Sequence, residues 1–194
     1  MRRSYRPQGF TLIEILIVIS IIAVLASMIL AGVNIARKRA AVAVAATNIG
    51  NIKSAITQYF QDMGKYPGAD IADGENAFPA LFEALCGAKP PRGKGGPNAP
   101  YIEFKEGDLR VYDKDLENYR PPDNEELYDM RVEKYIADPL GNPYIYHENK
   151  SRARKPYMHN ANTFDLYSMG LNGIDETIDG KKGVDDGVDD VGSW

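Results

Sequence analysis

Apolar residues run almost without interruption from Phe10 to Gly32, where the only charged side chain is Glu14 and the only other polar ones are Thr11, Ser20 and Ser27. About 20 helical residues at ~1.5 Å each cross the ~30 Å hydrocarbon core of a bilayer, so this run predicts a membrane-spanning helix over about 10–32. Beyond it the pattern changes rather than stops. Residues 36–62 contain no proline and are rich in alanine, and Ile49, Ile52, Ile56, Tyr59 and Phe60 recur at three- and four-residue steps. That spacing puts one apolar stripe on a continuing helix. The two segments together predict one helix over 10–62, roughly 80 Å long. Gly32 and Gly50 weaken it by about 1 kcal/mol each relative to alanine, and Gly64 with Pro67 ends it.

The rest reads as a small mixed domain over 63–194. Phe78, Leu81, Phe82 and Leu85 form the stripe of a second helix over 77–85, with Pro79 near its start. Residues 88–100 are a Pro/Gly/Lys surface loop; the phosphate-loop spacing is absent from it. Residues 101–104 and 109–112 alternate as two short strands joined by Glu106-Gly107-Asp108, and a short helix is placed around 124–135. In Asp138-Pro139-Leu140-Gly141-Asn142-Pro143-Tyr144-Ile145-Tyr146, proline fixes φ and glycine accepts positive φ, so a turn leads into a strand. Tyr144 and Tyr146 share one face of that strand and Ile145 takes the other.

Composition narrows the chemistry. The net charge is −4, and the leader holds Arg2, Arg3 and Arg6 with no acid, so the remainder is near −7, which is no nucleic-acid footprint. The single cysteine, Cys86, excludes an internal disulfide and reads as a small buried residue at a helix end. His147 and His159 lack metal-ligand spacing and read as polar surface residues. The basic leader keeps the N-terminus in the cytoplasm, although Arg37-Lys38-Arg39 on the far side opposes the positive-inside rule.

The junction Gly9-Phe10-Thr11-Leu12-Ile13-Glu14, behind its basic leader and ahead of the apolar run, resembles the processing site of the type IV pilin and type II secretion pseudopilin superfamily. A plain signal peptide or signal anchor shares the basic and apolar regions but has no use for Glu14. The resemblance implies that a prepilin peptidase cuts between Gly9 and Phe10, removing 1–9, and that Phe10 is then N-methylated. It also implies that Glu14 pairs in the filament core with the N-terminal amine of a neighbouring subunit. Two further stretches extend it. Gly64-Lys65-Tyr66-Pro67 is similar to the helix exit of pseudopilins, and 138–146 resembles the Asp-Pro-x-Gly-Asn-Pro-Tyr-x-Tyr stretch of the major pseudopilins of type II secretion.

Phe164-Asp165-Leu166-Tyr167-Ser168-Met169-Gly170 resembles the last strand of that family, which leads there into a calcium-binding loop. The tail from Asn160 to Trp194 holds eight acids against two lysines. Calcium takes six to eight oxygens at about 2.3–2.6 Å, and a Gly-punctuated acidic loop can supply them. A solvated acidic tail has the same composition. The resemblance favours calcium within 169–194, with the Met169 carbonyl, Asn172, Asp189 and Asp190 as ligands. Asp175, Asp179, Asp185 and Asp186 are further candidates. Asn172 stands where the family commonly has aspartate, so one charge is missing. Trp194 is expected to pack back on the sheet.

The expected fold is α+β: a long N-terminal helix on a small antiparallel sheet with a C-terminal calcium loop. The expected function is structural, not enzymatic. The resemblance implies a homo-oligomeric helical filament subunit of a type II secretion pseudopilus, anchored in the inner membrane with its domain in the periplasm. Its partners would be prepilin peptidase, the inner-membrane assembly platform and minor pseudopilins. A type IV pilus subunit for adhesion, motility or DNA uptake is the nearest rival. A membrane-anchored calcium-dependent binding protein is a more distant one. Residues 98–134 match no pattern of the family.

Overall fold

The structure is a computed structural model. It describes residues 11–71, 75–86, 100–129, 131–150, 158–175 and 190–192. The chain forms two compact units, Met1–Ala40 and Ala41–Trp194. Helix α1, Leu12–Met63, supplies residues to both.

In the first unit every described side chain of α1 is exposed. Hydroxyls that would otherwise be stranded on this apolar helix bond back to the preceding turn: Ser20 donates to the Leu16 carbonyl and Ser27 to that of Val24, each at 2.7 Å. A helix that is apolar all round calls for burial in lipid or against other helices.

In the second unit α1 carries the stripe that periodicity predicts: Ala45, Ile49, Ile52, Ala55 and Ile56 are buried. The helix closes as the sequence requires. Gly64 takes φ +72°, and its amide donates to the Phe60 carbonyl at 2.8 Å. Tyr66 then folds back to stack on Phe60, ring centroids 4.4 Å apart, with the Lys150 ammonium 4.2 Å above the Phe60 ring. Helix α2, Phe78–Cys86, buries Phe78, Leu81, Phe82, Leu85 and Cys86. Asn76 fixes where it starts. Its Oδ1 accepts from the Phe78 and Tyr146 amides at 3.0 and 2.9 Å, and its Nδ2 donates to the Tyr144 carbonyl at 3.1 Å.

Two three-stranded antiparallel sheets complete the unit, where the sequence suggested one. The first has the order β2-β1-β3, from β1 (Leu109–Asp113), β2 (Asn118–Arg120) and β3 (Tyr135–Ile136). The second has the order β4-β5-β6, from β4 (Tyr144–Glu148), β5 (Phe164–Ser168) and β6 (Val191–Gly192). A lone bridge, Ala137 to Pro143, flanks the turn between β3 and β4.

Two expectations need correction. Residues 101–104 form no strand. The Tyr101 amide bonds to the Leu85 carbonyl at 2.8 Å, and Tyr101, Ile102 and Phe104 pack against the core, so the alternation served side-chain burial and not a ladder. Helix α3, Asn124–Tyr128, begins on a capping box, with the Asp123 carboxylate accepting from the Glu125 and Glu126 amides, but it stops well before Tyr135. Asp129 is extended, and its carboxylate takes the Arg131 amide at 2.8 Å and the Arg131 guanidinium at 3.0 Å. Buried Lys134 donates to the Asp129 and Val132 carbonyls, which turns the chain so that Tyr135 enters β3.

Buried tyrosines give this unit a pH dependence. Burial pushes the Tyr144 phenol up to about 12, and pushes Tyr146, Tyr135 and Tyr119 upward as well. The folded state therefore holds protons that the unfolded chain releases above its ordinary value of about 10. The stability these tyrosines contribute should be constant from about pH 8 to 10 and be lost as pH rises through about 12. Urea midpoints at intervals from pH 8 to 12 test this; a midpoint that does not move across that range would refute it.

Candidate functional site

Two parts of the chain carry candidate chemistry. The first is the start of α1. The Glu14 carboxylate folds back on Thr11, accepting from its amide and its hydroxyl, each at 2.8 Å, while the Glu14 amide reaches the Thr11 hydroxyl oxygen at 3.3 Å. This is a reciprocal capping box, with Thr11 as the cap and Glu14 three residues into the helix. It satisfies amides that a helix start in apolar surroundings leaves unpaired. The Thr-x-x-Glu spacing is the sequence signal of this local cap. Gly9 and Phe10 lie outside the described residues. Replacing Thr11 with alanine should cost about 1 kcal/mol of local helix stability, so amide exchange at Leu12 to Glu14 should quicken about fivefold in detergent. Unchanged exchange there would show that the box contributes nothing.

The second part is the end of the β4-β5-β6 sheet. Asp138, buried ahead of β4, organises the turn. Its Oδ1 accepts from the Leu140 and Asn142 amides at 2.9 Å each, and its Oδ2 accepts from the Ser168 hydroxyl at the end of β5. Asn142 then donates to the Gly170 carbonyl at 3.0 Å, and the Gly170 amide bonds the Ser168 hydroxyl oxygen at 3.2 Å. The turn thus grips the segment that leaves β5. In that segment the Met169 carbonyl accepts from the Gly173 amide at 3.2 Å, and Asn172 Oδ1 accepts from the Ile174 amide at 2.8 Å. Gly173 sits at φ +68°, and a Cβ there would lie 3.0 Å from Asn142 Oδ1. Asp175 Oδ2 accepts from the Tyr167 hydroxyl at 2.8 Å.

The β5–β6 register pairs Tyr167 with Gly192 and Ser168 with Val191. Met169 directly follows Ser168 and Asp190 directly precedes Val191, so the two residues flank the last pair of that ladder. Both Asp190 carboxylate oxygens are buried. Met169, Asn172 and Asp175 lie in the segment that leaves β5, and Asp190 lies just ahead of β6; their carbonyl, amide and carboxylate oxygens are the donors a hard cation takes. Asp179, Asp185, Asp186, Asp189 and Trp194 lie outside the described residues. Among the described residues no three His, Cys, Asp or Glu side chains stand close enough to hold a metal by themselves.

Other polar groups prove structural. Asp165, counted among the tail acids, is buried and accepts from Asn149 Nδ2 (2.8 Å) and from the amides of His159 (3.0 Å) and Asn160 (2.9 Å). Two of its donors come from the turn just ahead of β5 and the third from the end of β4, 16 residues away. His147 is half-buried, its Nδ1 3.0 Å from the Glu75 carbonyl, while His159 is exposed.

Residues 5–30 match the family model of the prokaryotic N-terminal methylation motif, a span that includes the Gly9-Phe10 junction and Glu14. The chain is 25% identical over 189 residues to the type II secretion system core protein G of Aeromonas hydrophila, covering 97% of this chain and 93% of that one. It is 36% identical over 67 residues to core protein G of Pectobacterium carotovorum subsp. carotovorum, covering 34% of this chain and 43% of that one. It is also 39% identical over 67 residues to a fimbrial protein of Neisseria meningitidis serogroup B, covering 34% and 39%. No solved structure matches the chain. A pseudopilin- or pilin-type subunit with a methylation motif and a membrane anchor fits these likenesses and the fold.

Proposed function

We propose that this chain is a structural subunit of a type II secretion pseudopilus, built from copies of itself. The observation that carries the reading is α1: apolar and exposed on every side over the described residues up to 29, with one carboxylate at its very start. Such a helix is at home in lipid before assembly and in a bundle of like helices after it. The near full-length likeness to core protein G favours the secretion fibre. Prepilin peptidase would free Phe10, and its amine would meet Glu14 of the next subunit. An inner-membrane platform and minor pseudopilins would start the fibre, with the domain on the periplasmic side. Disrupting the gene in its own host should stop folded proteins reaching the medium and leave surface pili intact. Loss of pili with secretion intact would favour the pilus reading, for which the fimbrial likeness over 34% of the chain speaks.

Calcium belongs to the same proposal. Met169 O, Asn172, Asp189 and Asp190 would hold it, with Asp175, Asp179, Asp185 and Asp186 as further donors. The ion would neutralise an acidic segment and pin it to β5. Calcium at about 100 times its dissociation constant raises stability by about 2.7 kcal/mol, or about 5–10 °C for a domain of this size. Full-length protein in detergent, melted in EDTA and then in calcium, should show that rise. Magnesium should not reproduce it, and the Asp189→Ala/Asp190→Ala double variant should lose it. A melt indifferent to calcium would make the tail a solvated appendage.

A further inference from the structure

The basic triad Arg37-Lys38-Arg39 is unexplained by anything above, and it sits on the wrong side for topology signalling. We infer that it is a lipid-binding collar that grips anionic headgroups of the bilayer leaflet at the C-terminal end of the span; this rests on the reading of α1 as a membrane span.

Placement supports it first. Counting ~1.5 Å per residue from Leu12, the ~30 Å hydrocarbon layer ends near residue 32. Arg37 to Arg39 then lie roughly 7–11 Å further on, within or at the edge of the headgroup layer, and their long side chains reach back toward phosphates. Charge supports it second. All three are exposed, and none forms an ion pair among the described residues. The only acids in α1 are Glu14 and Asp62, each 23 residues in sequence from the nearest member of the triad. The positions three and four residues away are Val33, Asn34, Ile35, Ala36, Ala40, Ala41, Val42 and Ala43, so the helix supplies no counter-charge. Shape supports it third. Three consecutive residues fan over about 200° of the helix circumference. A flat protein surface meets one face of a helix, whereas headgroups surround it and can answer all three cations. Guanidinium groups also suit phosphate by paired hydrogen bonds.

The collar would hold the span at a fixed depth while the subunit waits in the bilayer, and would have to release its lipids when the subunit leaves for a fibre. The test uses full-length protein, diluted to single copies in phosphatidylcholine bilayers with a minority of phosphatidylglycerol. Trace spin-labelled lipids report how much of each type is immobilised by the protein. Wild type should prefer phosphatidylglycerol by about threefold or more at low salt and lose the preference in molar salt. Arg37→Gln/Lys38→Gln/Arg39→Gln should insert with unchanged helicity and lose most of it. Arg2→Gln/Arg3→Gln/Arg6→Gln, which alters the opposite leaflet's contacts, should keep most of it. A triad variant that retains the wild-type preference overturns the collar, as does an inserted wild type with no preference. A triad variant that binds lipid normally but fails to form filaments assigns the triad to a neighbouring copy and also overturns it. Failure of the wild type to insert overturns the membrane span itself, and the collar with it.

Discussion

Glu14→Ala should yield a chain that inserts and is processed but forms few or no filaments. In the membrane the carboxylate is a liability: about 2.5–3.5 kcal/mol at the bilayer centre, less near the surface. Its removal eases insertion. Locally it loses the capping box with Thr11, a cost of about 1 kcal/mol that the 52-residue helix absorbs. In a fibre core the balance reverses. There the neighbour's N-terminal amine would be buried without its counter-charge, and breaking a buried pair by removing one member costs about 3–5 kcal/mol. Each subunit junction would repeat that cost, which at more than a hundredfold per junction leaves little polymer. Glu14→Gln separates the two roles, since an amide oxygen still accepts from the Thr11 amide but carries no charge. It should keep the helix start protected from exchange and still fail to assemble. Wild-type filament yield from either variant, measured by shearing and electron microscopy, would end the case for Glu14 as a register device.

What the sequence revealed and what it hid divide along a physical line. Helix α1 was legible because periodicity, absence of proline and a glycine exit all act within a few residues, and the Ile49-Ile52-Ile56 stripe is buried as spaced. The turn at 138–146 was legible for the same reason. Pairing was not. Whether residues 101–104 join a sheet depends on Leu85, which claims the Tyr101 amide, and no local pattern encodes that choice. The end of α3 depends on Asp129 and Lys134 trading helix hydrogen bonds for a turn. At the candidate cation site the sequence named Met169, Asn172, Asp189 and Asp190; Asp189 lies outside the described residues, and Met169 and Asp190 flank the last β5–β6 pair. It read Asp138 merely as a turn residue, when its carboxylate is the point where the turn and the end of β5 meet.

That junction predicts the largest loss of domain stability. Asp138→Ala should destabilise the second unit by about 3–5 kcal/mol, because it strips three hydrogen bonds from a buried anion and strands their donors. The Leu140 and Asn142 amides each lose a partner at 2.9 Å, and the buried Ser168 hydroxyl loses its acceptor. The effect should spread, because Asn142 holds the Gly170 carbonyl and Ser168 holds the Gly170 amide, so the exit from β5 loosens with the turn. Ser168→Ala removes one donor to Asp138 and the acceptor of the Gly170 amide but leaves the Leu140 and Asn142 contacts in place, so it should cost less, about 2 kcal/mol. Asp138→Asn keeps the shape but loses the charge, and should fall between the two. Urea unfolding checks the series, with the midpoint falling and the slope unchanged if only the folded state is affected. Because the Asn142 and Ser168 bonds to Gly170 hold the segment that carries Met169 and Asn172, the proposed calcium stabilisation should weaken in parallel with the Asp138 series. A calcium shift undiminished in Asp138→Ala would show that the cation loop holds its geometry without the turn. A stability loss under about 1 kcal/mol would show that water readily replaces the carboxylate, and that the junction records proximity rather than support.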